Sequence, residues 1–201
     1  MTDPGEPIVL VGASGSGTST VGRLLAASLG REHLDVDRVI EQRAGKTVAE
    51  IFIEDGEPAF RAIEESTTIE LLDDRSIPTS SPPTNPPTSF LPTTPPTSSP
   101  SVTPPTVPVV LSLGSGAVLS PAVRAALKGR QVIWLQVSAG SAAERTGLNA
   151  ARPATFGNVR GRLIQLLNQR APLYAEVATS SISTDDRTAD EVAGLVLEGV
   201  S

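Results

Sequence analysis

Cysteine is absent from the 201 residues, which excludes disulfides, thiolate metal sites and cysteine nucleophiles and fits a cytosolic setting. Lysine is nearly absent too. Lys46 and Lys128 are the only two, so almost all positive charge is arginine, the side chain suited to bidentate capture of carboxylate and phosphate. The balance is acidic, with a net charge of −6 and a pI near 4.8, which argues against general binding to nucleic acid or anionic membranes. No apolar run approaches the length of a membrane span, and Met1 to Glu6 is polar and acidic without a signal-like core. The expectation is a soluble cytoplasmic protein with one domain and a sizeable core.

What is present begins with Val11-Gly12-Ala13-Ser14-Gly15-Ser16-Gly17-Thr18-Ser19-Thr20. It matches the nucleotide phosphate loop G-x-x-x-x-G-K-[ST] except that Thr18 stands where the lysine belongs. The apolar run Ile8 to Val11 enters as a buried strand, and Val21 to Leu29 leaves with helical spacing. Gly12, Gly15 and Gly17 let the backbone fold tightly, so that consecutive N–H groups face an anion. Ser16, Thr18 and Thr20 complete the loop, and Ser19 keeps the hydroxyl that would bind Mg²⁺. Thr18 removes a mobile charge that would reach the β- and γ-phosphates, a contact stronger than a neutral hydrogen bond. A ligand-free Gly/Ser turn between strand and helix is the competing reading.

Residues 78–108 are dominated by Pro, Thr and Ser without a single charge, and such a segment cannot bury enough to offset its ordering entropy. They predict a disordered, polyproline-II-biased insertion interrupting one domain made of 1–77 and 109–201. On both sides strand and helix signals alternate. Strands are predicted at Ile8–Val11, His33–Val36, Val109–Leu113, Val132–Val137 and, weakly, Ser181–Ser183. Helices are predicted at Val21–Leu29, Arg38–Ala44, Thr47–Glu54, Glu57–Asp73, Pro121–Leu127, Ala142–Thr146, Asn158–Gln169, Ala171–Ala178 and Ala189–Leu197. Alternation of this kind implies an α/β fold with a parallel sheet covered on both faces and ligands at the carboxyl ends of its strands.

Three groups fall at such ends. In Asp35-Val36-Asp37 the period of two along a strand sends both carboxylates the same way, Asp35 toward Mg²⁺ and Asp37 toward a substrate hydroxyl. Taken alone, these residues fit an acidic surface turn or an N-cap at Asp37 at least as well. Arg61 and Glu64 lie three apart on one helix face, the spacing of an ordinary solvent pair. Leu113-Gly114-Ser115-Gly116-Ala117-Val118 is a glycine-rich exit from a buried strand, or a plain β-to-α turn.

Together these residues resemble the shikimate kinases. The match runs through Asp35-Val36-Asp37-Arg38-Val39-Ile40-Glu41, the stretch from Ile51-Phe52 to Glu64, the Gly114-Ser115-Gly116 turn, Arg145-Thr146-Gly147, Arg152-Pro153, and Arg170-Ala171-Pro172-Leu173-Tyr174. The resemblance implies a P-loop kinase fold of the nucleoside monophosphate kinase type: a three-layer sandwich with a five-stranded parallel sheet and a lid. It implies transfer of phosphate from ATP, with Mg²⁺, to the 3-hydroxyl of shikimate, by a monomer acting in aromatic amino acid biosynthesis. Asp37 would hold and polarise the substrate hydroxyls. Arg61, oriented by Glu64, and Arg170 would clamp the carboxylate, with Gly114, Ser115 and Gly116 lining the ring. Arg152 would reach the transferring phosphate from the lid, Arg145 would lie over the adenine, and Ser19 and Asp35 would serve the metal.

Three positions depart from the family pattern: Thr18, Ser115 in place of the central glycine of the substrate turn, and Ala154-Thr155 after Pro153 in the lid. Losing one preorganised charge from a phosphoryl-transfer site costs on the order of 10² to 10³ in rate, by analogy with the loss of one oxyanion donor. A kinase, a binding or regulatory remnant, and a kinase for another small metabolite such as gluconate are therefore the three readings. The last would make Arg61 and Arg170 coincidental.

Overall fold

The computed structural model describes residues 6–73, 108–147 and 159–200. The first apolar run becomes strand β1, Ile8–Gly12, all of it buried. Its residues alternate between two cores, as the period of a strand requires. Ile8 and Leu10 pack with Val21, Leu25 and Val196 on one face, while Val9 and Val11 pack with Ile40, Phe60 and Leu111 on the other.

Five strands form one parallel sheet in the order β2-β3-β1-β4-β5, with β2 at Glu32–Asp35, β3 at Val109–Ser112, β4 at Gln131–Gln136 and β5 at Ser180–Ser183. Helices α1 (Thr18–Leu29) and α8 (Ala189–Val200) pack together on the first face. The opposite face carries α2 (Val36–Ala44), α3 (Val48–Glu54), α4 (Gly56–Asp73), α5 (Pro121–Leu127) and α7 (Val159–Val177), while α6 (Ala139–Arg145) follows β4. The result is a three-layer α/β sandwich. The chain runs from central β1 to edge β2, returns through β3 and crosses to β4, which opens a crevice at the carboxyl ends beside β1.

Local chemistry explains the helix starts. Thr47 and Glu50 form a capping box on α3, and Ser120 caps α5 with Pro121 in its first turn. The expected strand from His33 to Val36 is corrected: β2 ends at Asp35, whose carboxylate accepts from the N–H groups of Asp37 and Arg38, so the helix begins at Val36. The expected break near Arg170 is also absent, and α7 continues through Pro172. Pro172 has no N–H for the carbonyl of Asn168, but both residues are exposed, where water can take that carbonyl. A short 3₁₀ turn at Ala117–Leu119 was not anticipated. Most of the 78–108 segment and the expected lid, Arg152 included, lie outside the described residues. Among the described residues no helix is long and apolar enough to cross a membrane.

Candidate functional site

The loop after β1 is shaped by its glycines. A side chain at Gly12 would overlap the Ser16 hydroxyl and stand 2.7 Å from the carbonyl of Leu135, while Gly15 and Gly17 hold φ of +84° and +89°. The Ser16 N–H donates to the carbonyl of Ala13 at 2.9 Å, closing the turn. Gly17 caps α1, and its carbonyl accepts from Val21 at 2.9 Å, the first rung of the helix. The N–H groups of the first turn, at Thr18, Ser19 and Thr20, therefore have no partner within the helix and are available to an anion. The Ser16 hydroxyl is buried and unpartnered. Among the described residues no lysine reaches this cradle of donors, whereas Arg145 and Arg187 line the adjoining cavity. Lys46 is engaged by Glu54 at 2.7 Å and Asp55 at 3.4 Å, and Lys128 follows α5 at the amino end of β4, away from the loop.

Thr18 is anchored by its backbone. The Ser112 hydroxyl donates to the carbonyl of Thr18 at 2.9 Å, and with its proton so committed it accepts from His33 Nε2–H, also at 2.9 Å. Burial holds the His33 imidazole below its ordinary range, with Asp35 pulling the other way and Arg23 and Arg38 adding to the fall.

The turn after β3 is the second half of the site. A side chain at Gly114 would overlap the Glu64 carboxylate and stand 2.7 Å from Asp37 Oδ1, and one at Gly116 would overlap the Arg61 guanidinium. Glycine at both positions thus lets the turn lie against the acids of α2 and α4. The carbonyl of Ser115 accepts from Arg170 Nη1 at 3.0 Å and from the Tyr174 hydroxyl at 2.7 Å. Its hydroxyl accepts from Arg170 at 3.3 Å and from Ser14 of the phosphate loop at 3.2 Å, so the two halves touch.

Arg61 and Glu64 form more than a solvent pair. Arg61 Nη1 donates to Glu64 Oε2 at 2.6 Å, Nη2 and Nε reach Glu57 at 3.1 and 3.3 Å, and the guanidinium lies 5.6 and 5.3 Å from the ring centres of Phe52 and Phe60. Glu64 is only 2% exposed. Its Oε1 and Asp37 Oδ1 are buried without a hydrogen-bond partner, and both face the same point beside Gly114. Burial raises both carboxyls, that of Asp37 to about 6, with Asp35 and Glu64 adding to its rise. Two unsatisfied acid oxygens beside two arginines suit a small ligand that carries hydroxyls at one end and a carboxylate at the other.

Other expected residues fall around this centre. Arg145 donates to the carbonyl of Gly15 at 3.1 Å and to Thr184 at 2.9 and 2.6 Å, beside a cavity of about 180 Å³ lined by Gly17, Thr20 and Thr188. Ser19 and Asp35 line one cleft, of about 360 Å³. Asp35 and Asp37 do not point the same way from a strand as expected, because Asp35 caps α2 and Asp37 belongs to its first turn. Sequence reasoning gave no role to Tyr174, Glu57 or Ser112. Tyr174 meets Ser115 across 59 residues of sequence and Ser112 meets Thr18 across 94, separations that no local spacing signals.

A family model described as shikimate kinase matches residues 14–79 and 102–201. The chain is 41% identical over 188 residues to a shikimate kinase of Thermobifida fusca, covering 94% of this chain and 91% of that protein. It is 40% identical over 190 residues to one of Mycobacterium tuberculosis, covering 94% and 90%. Among solved structures, a shikimate kinase from Acinetobacter baumannii in complex with shikimate superposes with a TM-score of 0.75 at 32% identity, covering 97% of this chain and 92% of that one.

Proposed function

This chain belongs to the shikimate kinase family, and we propose that it transfers the terminal phosphate of ATP to the 3-hydroxyl of shikimate. The observation that carries this reading is the pair of buried, partner-free oxygens on Asp37 and Glu64 facing Gly114, with Arg61 and Arg170 beside them. The Asp37 carboxyl accepts the reacting hydroxyl and, with an acidity shifted to about 6, takes its proton near neutral pH. Arg61, fixed by Glu64 and Glu57, offers part of its fork to the substrate carboxylate. Arg170, whose Nη1 donates to Ser115, stands beside the same carboxylate. Gly114, Ser115 and Gly116 line the ring, and Arg152 supplies charge from the lid.

The loop fits a nucleotide. It combines glycines where a side chain would clash or force a strained backbone, an unpartnered buried hydroxyl at Ser16 and the N–H groups of Thr18 to Thr20. Arg145, already tied to Gly15, stands at the adenine end. Ser19 and Asp35 are the groups that would hold Mg²⁺. Among the described residues no cluster of three or more His, Cys, Asp or Glu could hold a metal ion by itself. When bound, ATP and Mg²⁺ supply the phosphoryl group and neutralise its charge.

Thr18 favours a second reading, a remnant that binds shikimate without turnover. A coupled assay for ADP release, with and without shikimate, separates the two. Shikimate-dependent release is expected from the kinase. Binding of shikimate without release would establish the remnant.

A further inference from the structure

Phosphoryl transfer needs the phosphate loop after β1 and the acceptor turn after β3 to meet, because the phosphorus passes from one to the other. A hydrogen bond between side chains joins them. Ser14 of the loop donates to the Ser115 hydroxyl of the turn at 3.2 Å, across 101 residues of sequence, and the same hydroxyl accepts from Arg170 Nη1 at 3.3 Å. Ser14 is exposed and Ser115 half-buried. A serine oxygen has two acceptor sites and one proton, so with Ser14 and Arg170 in place the capacity left to Ser115 is its own O–H. Turning the bond between the serines round leaves the count unchanged. Arginine only donates, one hydroxyl proton is spent between the two serines, and among the described residues no acceptor takes the other. That spare O–H sits one residue from Gly114, which the partner-free oxygens of Asp37 and Glu64 face. It therefore touches the phosphate loop on one side and adjoins the acceptor acids on the other. Because its oxygen accepts from a guanidinium, the O–H is polarised into a stronger donor, suited to an oxygen that gathers negative charge.

We propose that the Ser115 hydroxyl, set by Ser14 and Arg170, is a catalytic donor to an oxygen of the phosphoryl group in transit from loop to acceptor. The inference rests on the ATP-dependent reading of the site. In the transfer the substrate oxygen bonds to phosphorus as the bond from phosphorus to ADP breaks, and the substrate proton passes to Asp37. Ser115 keeps its proton throughout. Its backbone has a separate task, since the Ser115 carbonyl holds Arg170 at 3.0 Å and the Tyr174 hydroxyl at 2.7 Å. Those two bonds survive truncation of the side chain, so the carboxylate clamp can be kept while the hydroxyl is removed.

Ser115→Ala and Ser115→Gly in the full chain test this by three measurements. These are calorimetry with shikimate alone, steady-state kcat, and the affinity of aluminium fluoride, a mimic of the phosphoryl group in transit, for the chain with Mg²⁺, ADP and shikimate. Both variants should bind shikimate alone within about twofold of the unmodified chain, yet hold aluminium fluoride at least about tenfold more weakly and lose about tenfold in kcat. Ser115→Thr, which keeps the hydroxyl, should retain most of both. The double variant Ser14→Ala/Ser115→Ala should fall no more than about twofold below Ser115→Ala, because the two hydroxyls act as one unit. Ser28→Ala, which removes an exposed hydroxyl bonded only to the carbonyl of Leu24, should change nothing. Shikimate binding weakened as much as aluminium fluoride binding would overturn the proposal, since the hydroxyl would then serve the resting acceptor. An unmodified chain that forms no aluminium fluoride complex sinks the kinase reading and this inference with it; a complex that Ser115→Ala leaves unchanged sinks this inference alone.

Discussion

Replacing Asp37 by asparagine is expected to stabilise the fold while abolishing phosphate transfer. Burial pushes this carboxyl from its ordinary 3.8 up to about 6, with Asp35, Glu64 and Glu41 reinforcing the rise and Arg61 opposing it. A group whose folded value lies above its unfolded value holds its proton more tightly in the native state. Between about pH 4 and pH 6 the folded chain therefore binds more protons than the unfolded one, and stability falls as the pH climbs through that window. At 1.36 kcal/mol per pH unit, the rise from 3.8 to about 6 costs the native state about 3 kcal/mol above pH 7, a ceiling that partial exposure of Asp37 lowers to about 1–2 kcal/mol. Asparagine keeps the shape and removes the charge. Thermal unfolding of both proteins from pH 4 to pH 8 should show little difference at pH 4 and a melting point several degrees higher for the variant at pH 7. A gap that does not change with pH, or a less stable variant at pH 7, would refute the buried-charge explanation. Transfer to shikimate should be lost throughout, because the hydroxyl loses its proton acceptor.

Gly116→Ala places a methyl group on the Arg61 guanidinium and drives it from buried Glu64, so shikimate affinity measured by calorimetry should fall at least about tenfold. Unchanged affinity would mean that Arg61 finds an equivalent seat. Thr18→Lys should raise kcat about tenfold, the effect of one restored charge contact of about 1.4 kcal/mol in the transition state, and steady-state kinetics showing no gain would contradict the role assigned to that position. The family match passes over residues 80–101, and excising them should leave the melting temperature within about two degrees. A loss of many degrees would show that they pack on the domain.

The order of elements was legible because apolar runs such as Ile8 to Val11 and the caps at Thr47 and Ser120 act over a few residues. The boundary at Asp35 was not, since an Asp-x-Asp run fits a strand end and a helix cap equally until the side chain is seen accepting from Asp37 and Arg38. The helix through Pro172 was misjudged for a similar reason: proline penalises a helix interior, yet here the orphaned carbonyl lies on an exposed face. In the site, the motif residues Asp37, Arg61, Glu64, Gly114 to Gly116 and Arg170 do converge. What spacing could not reveal is electrostatic. Glu64 looked like a surface partner for Arg61 and is 2% exposed, and the Ser112 contact that fixes Thr18 joins elements 94 residues apart.

The central claim is that Arg61 and Arg170, with Asp37, form a carboxylate-and-hydroxyl site that works whatever Thr18 does to catalysis. Calorimetric titration of the nucleotide-free chain with shikimate, beside Arg170→Ala, tests it most directly. Removing one donor of a buried charge pair costs roughly 2 to 5 kcal/mol, so the unmodified chain should release heat in or below the millimolar range while Arg170→Ala shows almost none. No heat from the unmodified chain, or equal binding by Arg170→Ala, would contradict it.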